Sequence, residues 1–331
     1  MTTPETPPDP HATPQQAAGP HAASQPAPFA KRLTEAVRRR GTPACVGLDP
    51  RSDMLPPIFR AAAARTPAAM AEIYELFCRE VIDAVAGSVP IVKPQLACFE
   101  SLGPEGMLAL AGVINHAHAK GLLVLADGKR GDIGSTAEAY AAGWLAGPWA
   151  ADAVTVNPYL GLDSLEPFVA AAEARQAGIF VLVKTSNPGS RDFQDLEIDG
   201  RTVFEHVAAG VEALAARTAG GGQGPRYGAV GAVVGATWPK QLASLREAMP
   251  HAWILVPGFG RQGGRAADVL PAFDDDGLGA IVVSARDVIY AHARPEINGG
   301  LGEAQWQQAV ERAAADMITR LADETPAGRL R

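Results

Sequence analysis

The sequence predicts an α/β fold, a (β/α)8 TIM barrel, built as a single domain behind a disordered N-terminal tail. Three observations support this prediction: short apolar runs alternate with stretches of helical periodicity, the runs number eight, and the chain has 331 residues. A barrel of this type takes about 250 residues plus insertions. Alternating strands and helices imply parallel pairing with right-handed crossovers. An open, doubly wound sheet is the competing architecture, and the eight repeats favour the closed barrel.

The predicted strands are continuous apolar runs, as expected for parallel strands that are buried on both faces. In chain order they cover residues 44–49, 90–95, 122–127, 152–158, 179–185, 231–237, 253–258 and 280–286. Most are separated by stretches with apolar residues at helical spacing, of which 68–87 and 202–218 are the clearest. The barrel domain is therefore assigned to residues 29–325.

Two segments have the composition of irregular chain. Residues 1–28 are rich in Pro, Ala, Thr and Gln and contain almost no large apolar side chains. Such a segment cannot offset its own ordering entropy, so we expect a disordered tail. It also lacks a basic region followed by an apolar one, so it does not resemble a secretory signal. The glycine-rich stretch 218–228 is predicted to be a surface loop within the domain.

Composition excludes several classes of partner. The formal net charge of −7 disfavours general nucleic-acid binding, which depends on a basic surface. No apolar run reaches the roughly 18 residues that a membrane span requires. The three cysteines form no CxxC pair, which suits a reducing compartment. We therefore expect a cytoplasmic protein that binds neither nucleic acid nor membranes.

Charged and polar residues collect where the predicted strands end. In a (β/α)8 barrel the carboxyl ends of the strands form the active site. The residues at these ends are Asp49, Lys93, Asp127, Lys129, Ser186 and Arg286. Single polar residues in such places are often turn formers or helix caps, but several meeting at one rim favour a site.

The stretch "LLVLADGKRGDIGST", residues 122–136, carries the densest charge. Asp127 and Lys129 share a face if extended geometry continues as far as Lys129. Asp132 lies beyond Gly131, where the loop has turned away. In the alternative interpretation Asp132 caps the following helix and the charges form a solvated turn.

This pattern indicates proton transfer to a substrate that loses a carboxylate. Nearby carboxylates favour the ammonium form of a lysine, so Lys129 suits a proton donor better than a Schiff-base nucleophile. A carboxylate beside a bound anionic substrate also destabilises the substrate carboxylate, and departure as CO2 relieves that strain.

A phosphate site is predicted near the last two strands. Residues 257–264, "PGFGRQGG", offer glycine amides in a turn, and Arg286 follows the eighth strand. The same stretch matches G-x-G-x-x-G at Gly258, Gly260 and Gly263. Too few strands follow for a dinucleotide-binding unit, so an NAD site is rejected.

Two further polar groups are predicted to have no catalytic role. His116 and His118 are two apart on one predicted helix and so face different directions, which indicates structural or surface roles rather than metal binding. Residues 191–200, "RDFQDLEIDG", are predicted to be a solvated loop.

The segment "LADGKRGDIGSTA" resembles the D-x-K-x-x-D signature of the orotidine 5'-phosphate decarboxylases. The segments "TPACVGLDPR", "VKPQLACFE", "VTVNPYLG", "LVKTSNPGS", "VVGAT" and "LVPGFGRQGG" resemble the bacterial type 2 branch of that family. The resemblance extends from about residue 30 to about residue 293. It departs from the expected pattern at Gly128, where alanine is expected.

The resemblance implies a reaction without metal or cofactor: decarboxylation of orotidine 5'-monophosphate to uridine 5'-monophosphate (UMP), the last step of pyrimidine biosynthesis. It implies an alternating charge network of Lys93, Asp127, Lys129 and Asp132. Lys129 would protonate C6 of the pyrimidine after CO2 leaves. Asp127 would lie against the departing carboxylate, and Lys93 would bridge Asp127 and a ribose hydroxyl.

The resemblance also implies a homodimer and a set of substrate contacts. Asp132 would act in the partner's site, together with Ile133 and Thr136. Asp49 would bind ribose and Ser186 the pyrimidine. The phosphate would be held by Gln262 and Arg286 under the loop that begins at Pro257.

Two other functions remain open at this stage. One is a Mg2+-dependent sugar-phosphate lyase or decarboxylase of the same barrel superfamily, in which the acids hold the metal. The other is a non-catalytic nucleotide-binding barrel.

Overall fold

The computed structural model describes residues 26–61, 66–220, 224–260 and 265–331. Ten strands occur in these residues: β1 (Ala44–Leu48), β2 (Ile91–Pro94), β3 (Leu123–Arg130), β4 (Ala153–Val156), β5 (Gly178–Lys184), β6 (Glu197–Ile198), β7 (Arg201–Thr202), β8 (Val230–Val234), β9 (Ile254–Pro257) and β10 (Ala280–Ser284). Eight of them close into a parallel barrel in the order β1-β10-β9-β8-β5-β4-β3-β2. The predicted (β/α)8 barrel is confirmed, and β6 and β7 form a separate antiparallel hairpin.

The described helices surround this barrel. They are α1 (Phe29–Arg40), α2 (Pro57–Ala61), α3 (Pro67–Val85), α4 (Leu96–Glu100), α5 (Gly103–Ala119), α6 (Gly134–Leu145), α7 (Glu166–Arg175), α8 (Arg191–Gln194), α9 (Val203–Thr218), α10 (Pro239–Ala248), α11 (Ala266–Val269), α12 (Arg286–Ile289), α13 (Pro295–Asn298) and α14 (Trp306–Glu324). The predicted helices 68–87 and 202–218 correspond to α3 and α9.

Both of these helices begin at side-chain caps. The Thr66 hydroxyl accepts a hydrogen bond from the Ala69 N–H, and Pro67 occupies the first turn of α3. Thr202 and Glu205 form a reciprocal capping box at the start of α9. These caps fix where α3 and α9 begin.

Helix α1 closes the amino-terminal end of the barrel. Phe29 and Leu33 are buried together with the inward-facing residues Cys45 and Phe180. The rings of Phe29 and Phe180 meet edge to face at 6.1 Å. Burying a large apolar side chain stabilises a fold by about 1.5–3 kcal/mol, so α1 holds this end shut. Any ligand must enter at the opposite end, where the strands terminate in polar residues.

The segments outside the barrel differ in part from expectation. Residues 1–25 of the predicted tail lie outside the described residues. In the glycine-rich stretch, residues 224–226 are exposed, as predicted for a surface loop, whereas Tyr227 is buried and its ring centre lies 4.8 Å from that of Trp253. After α14 the chain continues into a short 3₁₀ helix, Pro326–Leu330, whose Ala327 is buried. Among the described helices none has the length and apolar character needed to span a membrane.

Candidate active site

A cavity of about 920 Å3 opens at the carboxyl ends of the strands. Its lining includes these predicted site residues: Asp49, Lys93, Asp127, Lys129, Ser186, Pro257 and Arg286. They come from both halves of the chain and meet because parallel strands end at one rim. The structure therefore brings these predicted residues together around one cavity.

Asp127 lies at the centre of the charged wall. Its Oδ2 is 2.6 Å from Lys93 Nζ, and its Oδ1 is 2.6 Å from Lys129 Nζ. Lys93 and Asp127 are only 5% and 9% exposed. The Lys129 side chain is 45% exposed and reaches into the cavity. The three side chains form a continuous lysine–aspartate–lysine array.

Two further residues complete the hydrogen bonding of Asp127. The Thr155 hydroxyl donates to Oδ1 at 3.0 Å. The Gln95 amide, oriented so that its nitrogen faces Asp127, donates to Oδ2 at 2.9 Å. The sequence analysis missed both residues. A polar residue inside the apolar run of β4, and a glutamine directly after β2, were the available signals.

The array sets the ionisation of its buried members. Burial raises the pKa of Asp127, but the charges of Lys93 and Lys129 outweigh it and hold that pKa well below its usual range. Burial lowers the pKa of Lys93, but the carboxylates of Asp127 and Asp49 outweigh it and raise that pKa above its usual value. Both groups are therefore charged at neutral pH.

Asp127 and Lys129 face the cavity together, but not through simple strand alternation. Lys129 has a left-handed φ of 49°, and the register between β3 and β4 shifts between Ala126 and Arg130. The expectation of extended geometry up to Lys129 is therefore wrong. The main chain turns at this point, and the lysine side chain folds back onto Asp127.

Gly128 leaves room for the side chain of Leu96. A Cβ at this position would lie 2.4 Å from Leu96 Cδ1, closer than carbon atoms approach one another. The departure from the expected alanine is therefore matched by Leu96, which fills the space.

Asp132, Ile133 and Thr136 do not line the cavity. Helix α6 begins at Gly134 without a side-chain cap, and Asp132 Oδ1 accepts the adjacent Ile133 N–H, at 2.8 Å. The alternative in which Asp132 caps the helix is therefore wrong. The remaining predicted residue, Gln262, lies outside the described residues.

The wall opposite the charges is apolar. Leu182, Val233, Leu255 and Val283 line it from β5, β8, β9 and β10. On the charged side, Asp49 has a buried Oδ1 that accepts no hydrogen bond from any described residue. Buried polar atoms are rarely left unpaired, so this oxygen indicates a ligand with a hydrogen-bond donor.

Residues 191–200 are largely exposed, as predicted, but they are not an irregular loop. The segment forms α8 and the strand β6, and Phe193, Gln194 and Leu196 line the cavity. The Gln194 amide oxygen accepts the Thr185 N–H at 2.9 Å. These contacts tie the segment to the end of β5, beside the cavity.

The two histidines of α5 form hydrogen bonds with carboxylates away from the cavity. His116 Nε2 is 2.8 Å from Asp83, and His118 Nε2 is 3.0 Å from Asp152. Across the described ranges, no three His, Cys, Asp or Glu side chains are grouped so as to hold a metal ion.

The fold and the cavity together define a (β/α)8-barrel enzyme with a charged, strand-end active site. Comparisons with known proteins agree with this class. The family model described as "Orotidine 5'-phosphate decarboxylase / HUMPS family" matches residues 42–297. The chain is 52% identical to the orotidine 5'-phosphate decarboxylase of Rhodopirellula baltica, covering 88% of this chain and 98% of the relative.

Two other relatives give the same result. The chain is 44% identical to the orotidine 5'-phosphate decarboxylase of Deinococcus radiodurans, over 83% of this chain and 98% of that one. The solved structure of Leishmania donovani OMP decarboxylase superimposes with a TM-score of 0.69 at 33% identity, covering 89% of this chain and 98% of that one. The chain belongs to the orotidine 5'-phosphate decarboxylase / HUMPS family, which confirms the resemblance read from its motifs.

Proposed function

We propose that this protein decarboxylates orotidine 5'-monophosphate to UMP and CO2, as the final step of pyrimidine biosynthesis in the cytoplasm, without a metal or cofactor. The observation that carries the proposal is the Lys93–Asp127–Lys129 array, in which both lysine ammonium groups lie 2.6 Å from one buried carboxylate at the edge of a cavity. The bacterial relatives named above bear the name of this activity.

The chemistry follows from the charges. With the substrate bound, its C6 carboxylate lies against Asp127. The pKa of Asp127 is far below neutral, so Asp127 does not take up a proton and its negative charge remains beside the substrate carboxylate. The bond from C6 to the carboxylate carbon breaks, CO2 leaves, and the electron pair stays on C6. The Lys129 ammonium supplies the proton that converts this carbanion into UMP.

Lys129 then regains its proton from solvent. Its side chain is 45% exposed, whereas Lys93 is almost fully buried. Of the two lysines, Lys129 is therefore the one with access both to the cavity and to water. Lys93 keeps Asp127 ionised and reaches toward a ribose hydroxyl.

The remaining predicted residues each bind a different part of the substrate. Asp49 accepts a ribose hydroxyl on its unpaired Oδ1. Ser186 binds the pyrimidine ring, which packs on the apolar wall. Arg286 and Gln262 hold the phosphate, beneath the loop that starts at Pro257. The phosphate contacts help to organise the site as well as to bind substrate.

The active unit is a homodimer. Asp132 and Thr136 lie outside the cavity of their own chain, and Ile133 is 59% exposed beside them. Tyr159 (83% exposed) and Leu160 (50%) add further exposed apolar surface near the barrel mouth. A second subunit that covers this surface brings Asp132 to the partner's Lys129, which completes the four-residue network.

Turnover of orotidine 5'-monophosphate, followed by its loss of ultraviolet absorbance, tests the proposal. We expect full activity in the presence of EDTA and no change when Mg2+ is added. Activity that disappears with EDTA and returns with Mg2+ would favour the metal-dependent lyase. Tight binding of UMP by calorimetry without any turnover of orotidine 5'-monophosphate would instead indicate a non-catalytic binding protein.

A further inference from the structure

Thr155 is a buried polar residue inside the apolar strand β4, where its hydroxyl contacts Asp127. It is 1% exposed. Its neighbours Val154 and Val156 pack outward against the helices. Because side chains alternate along a strand, Thr155 projects into the barrel, next to the charged array. A hydroxyl in such a place requires hydrogen-bond partners.

The hydroxyl makes two bonds whose directions are fixed. The main-chain N–H of Lys129 donates to Thr155 Oγ1 at 2.9 Å. The single proton of the hydroxyl is donated to Asp127 Oδ1 at 3.0 Å, since a carboxylate can only accept. The same Oδ1 accepts the Lys129 ammonium at 2.6 Å. The Thr155 hydroxyl therefore links the main chain of Lys129 to Asp127, and the Lys129 side chain contacts the same carboxylate.

The Lys129 main chain has a conformation that needs such support. A left-handed φ is unfavourable for a residue with a Cβ. The regular pairing of β3 with β4 is interrupted between Ala126 and Arg130, which is where Lys129 lies. The Thr155 hydroxyl supplies the acceptor for the Lys129 N–H at this interruption.

We infer that Thr155 is a positioning residue: its hydroxyl holds the left-handed turn at Lys129 and orients Asp127, so that the Lys129 ammonium is aimed at the reacting carbon. The inference rests on the proposed function and extends it to a residue that acts through Lys129 and Asp127. It predicts that the hydroxyl, and not the shape of the side chain, sets the rate.

Kinetics of two matched variants test the inference. Thr155→Val keeps the shape and removes the hydroxyl, so kcat for orotidine 5'-monophosphate should fall about 10- to 100-fold, as small misplacements of a catalytic group do. KM should change less than about threefold, because the ribose, pyrimidine and phosphate contacts are made elsewhere. Thr155→Ser keeps the hydroxyl and should retain kcat within about threefold of the wild type.

A control variant distinguishes a positioning role of Thr155 from the general effect on kcat of removing a buried threonine hydroxyl. Thr42 is equally buried, and its hydroxyl accepts the Ala44 N–H at 3.2 Å at the amino-terminal end of β1. Thr42→Val should therefore leave kcat unchanged. Equal losses of kcat in Thr155→Val and Thr155→Ser, or a wild-type kcat in Thr155→Val, would overturn the inference.

A crystal structure of Thr155→Val provides a readout that does not depend on turnover. Lys129 should leave the left-handed region, and its Nζ should move away from Asp127. If both stay in place, the inference is wrong, whatever the enzyme catalyses. Absence of turnover in the wild type would instead contradict the proposed function, so the two failures are distinguishable.

Discussion

Asp127 is the residue on which the charged wall depends, because it accepts hydrogen bonds from side chains at two neighbouring strands, β2 and β4, as well as from its own strand, β3. Lys93 and Lys129 provide the charge, while Thr155 and Gln95 provide neutral donors. A carboxylate with this many donors is held in one orientation. It remains charged because protonation would leave two ammonium groups close together without their counter-ion.

The ionisation of Asp127 predicts a pH-dependent stability. Its pKa is lower in the folded protein than in the unfolded chain, so its contribution is complete above the unfolded value of about 4 and declines as the pH falls below it. Lys93, with a raised pKa, stays charged up to at least its unfolded value of about 10.4. The pair should therefore stabilise the protein evenly between about pH 5 and pH 9.

Asp127→Asn measures this contribution. The variant leaves the Lys93 ammonium buried without its counter-ion, which should lower the free energy of unfolding by about 3–5 kcal/mol at pH 7. The difference from the wild type, measured by urea unfolding, should shrink as the pH is lowered from 4 to 3. A difference that is constant over this range would show that the charge of Asp127 does not stabilise the fold.

At the residue scale, sequence reasoning picked out charged residues that line the cavity and missed Thr155 and Gln95, the neutral partners of Asp127. Asp127 and Lys93 stand out because charges are rare at the ends of buried strands. Thr155 does not stand out, since threonine is common in strands. The left-handed turn at Lys129 depends on a tertiary contact with β4, and no local pattern encodes it.

At the scale of elements, the segment from α8 to β7 shows how one buried lysine shapes the cavity wall. Lys184, at the end of β5, is fully buried and forms an ion pair with Asp195. Its ammonium also lies 4.8 Å from the centre of the Trp238 ring and 5.4 Å from that of Phe204. The pair holds the segment against the barrel, where Phe193 and Leu196 line the cavity.

Asp195→Asn should loosen this wall without altering the proton donor. Loss of the charged partner of Lys184 should lower the free energy of unfolding by about 1.5–3 kcal/mol. Because the segment lines the cavity but does not contact the charged array, KM should rise more than kcat falls. Asp192→Asn, which changes an exposed carboxylate of the same segment, is the control and should match the wild type in both constants.

The strands were predictable and this segment was not, for one physical reason. Parallel strands buried on both faces leave continuous apolar runs in the sequence. Residues 191–200 have the acidic, polar composition of a loop. Their apolar side chains Phe193 and Leu196 line a cavity rather than a packed core, so they leave no continuous apolar run in the sequence. The signal that was available was Lys184 itself, since a lysine within a buried strand requires a partner.

At the scale of the whole molecule, the barrel followed from the eight apolar repeats, whereas the proposed homodimer depends on the exposed apolar residues Ile133 and Tyr159. Surface apolar residues are common in monomers, so the sequence alone could not separate a dimer interface from ordinary exposure. The family resemblance supplied the expectation of a homodimer with Asp132 acting across it.

Mixing two inactive variants tests the homodimer directly. Lys129→Ala and Asp132→Asn should each have little activity. If Asp132 acts on the partner's Lys129, mixed dimers contain one intact site, and random reassortment should restore roughly a quarter of wild-type turnover. If both residues act within one chain, the mixture should be as inactive as its components.

The most direct test of the proton-donor assignment is the turnover number of Lys129→Ala with orotidine 5'-monophosphate. We expect kcat to fall at least about 100-fold, the lower end of what a positioned general acid contributes. Circular dichroism should show an unchanged fold, since the side chain is partly exposed and its loss leaves Asp127 paired with Lys93. A folded Lys129→Ala variant with a kcat close to that of the wild type would contradict the assignment of Lys129 as the proton donor.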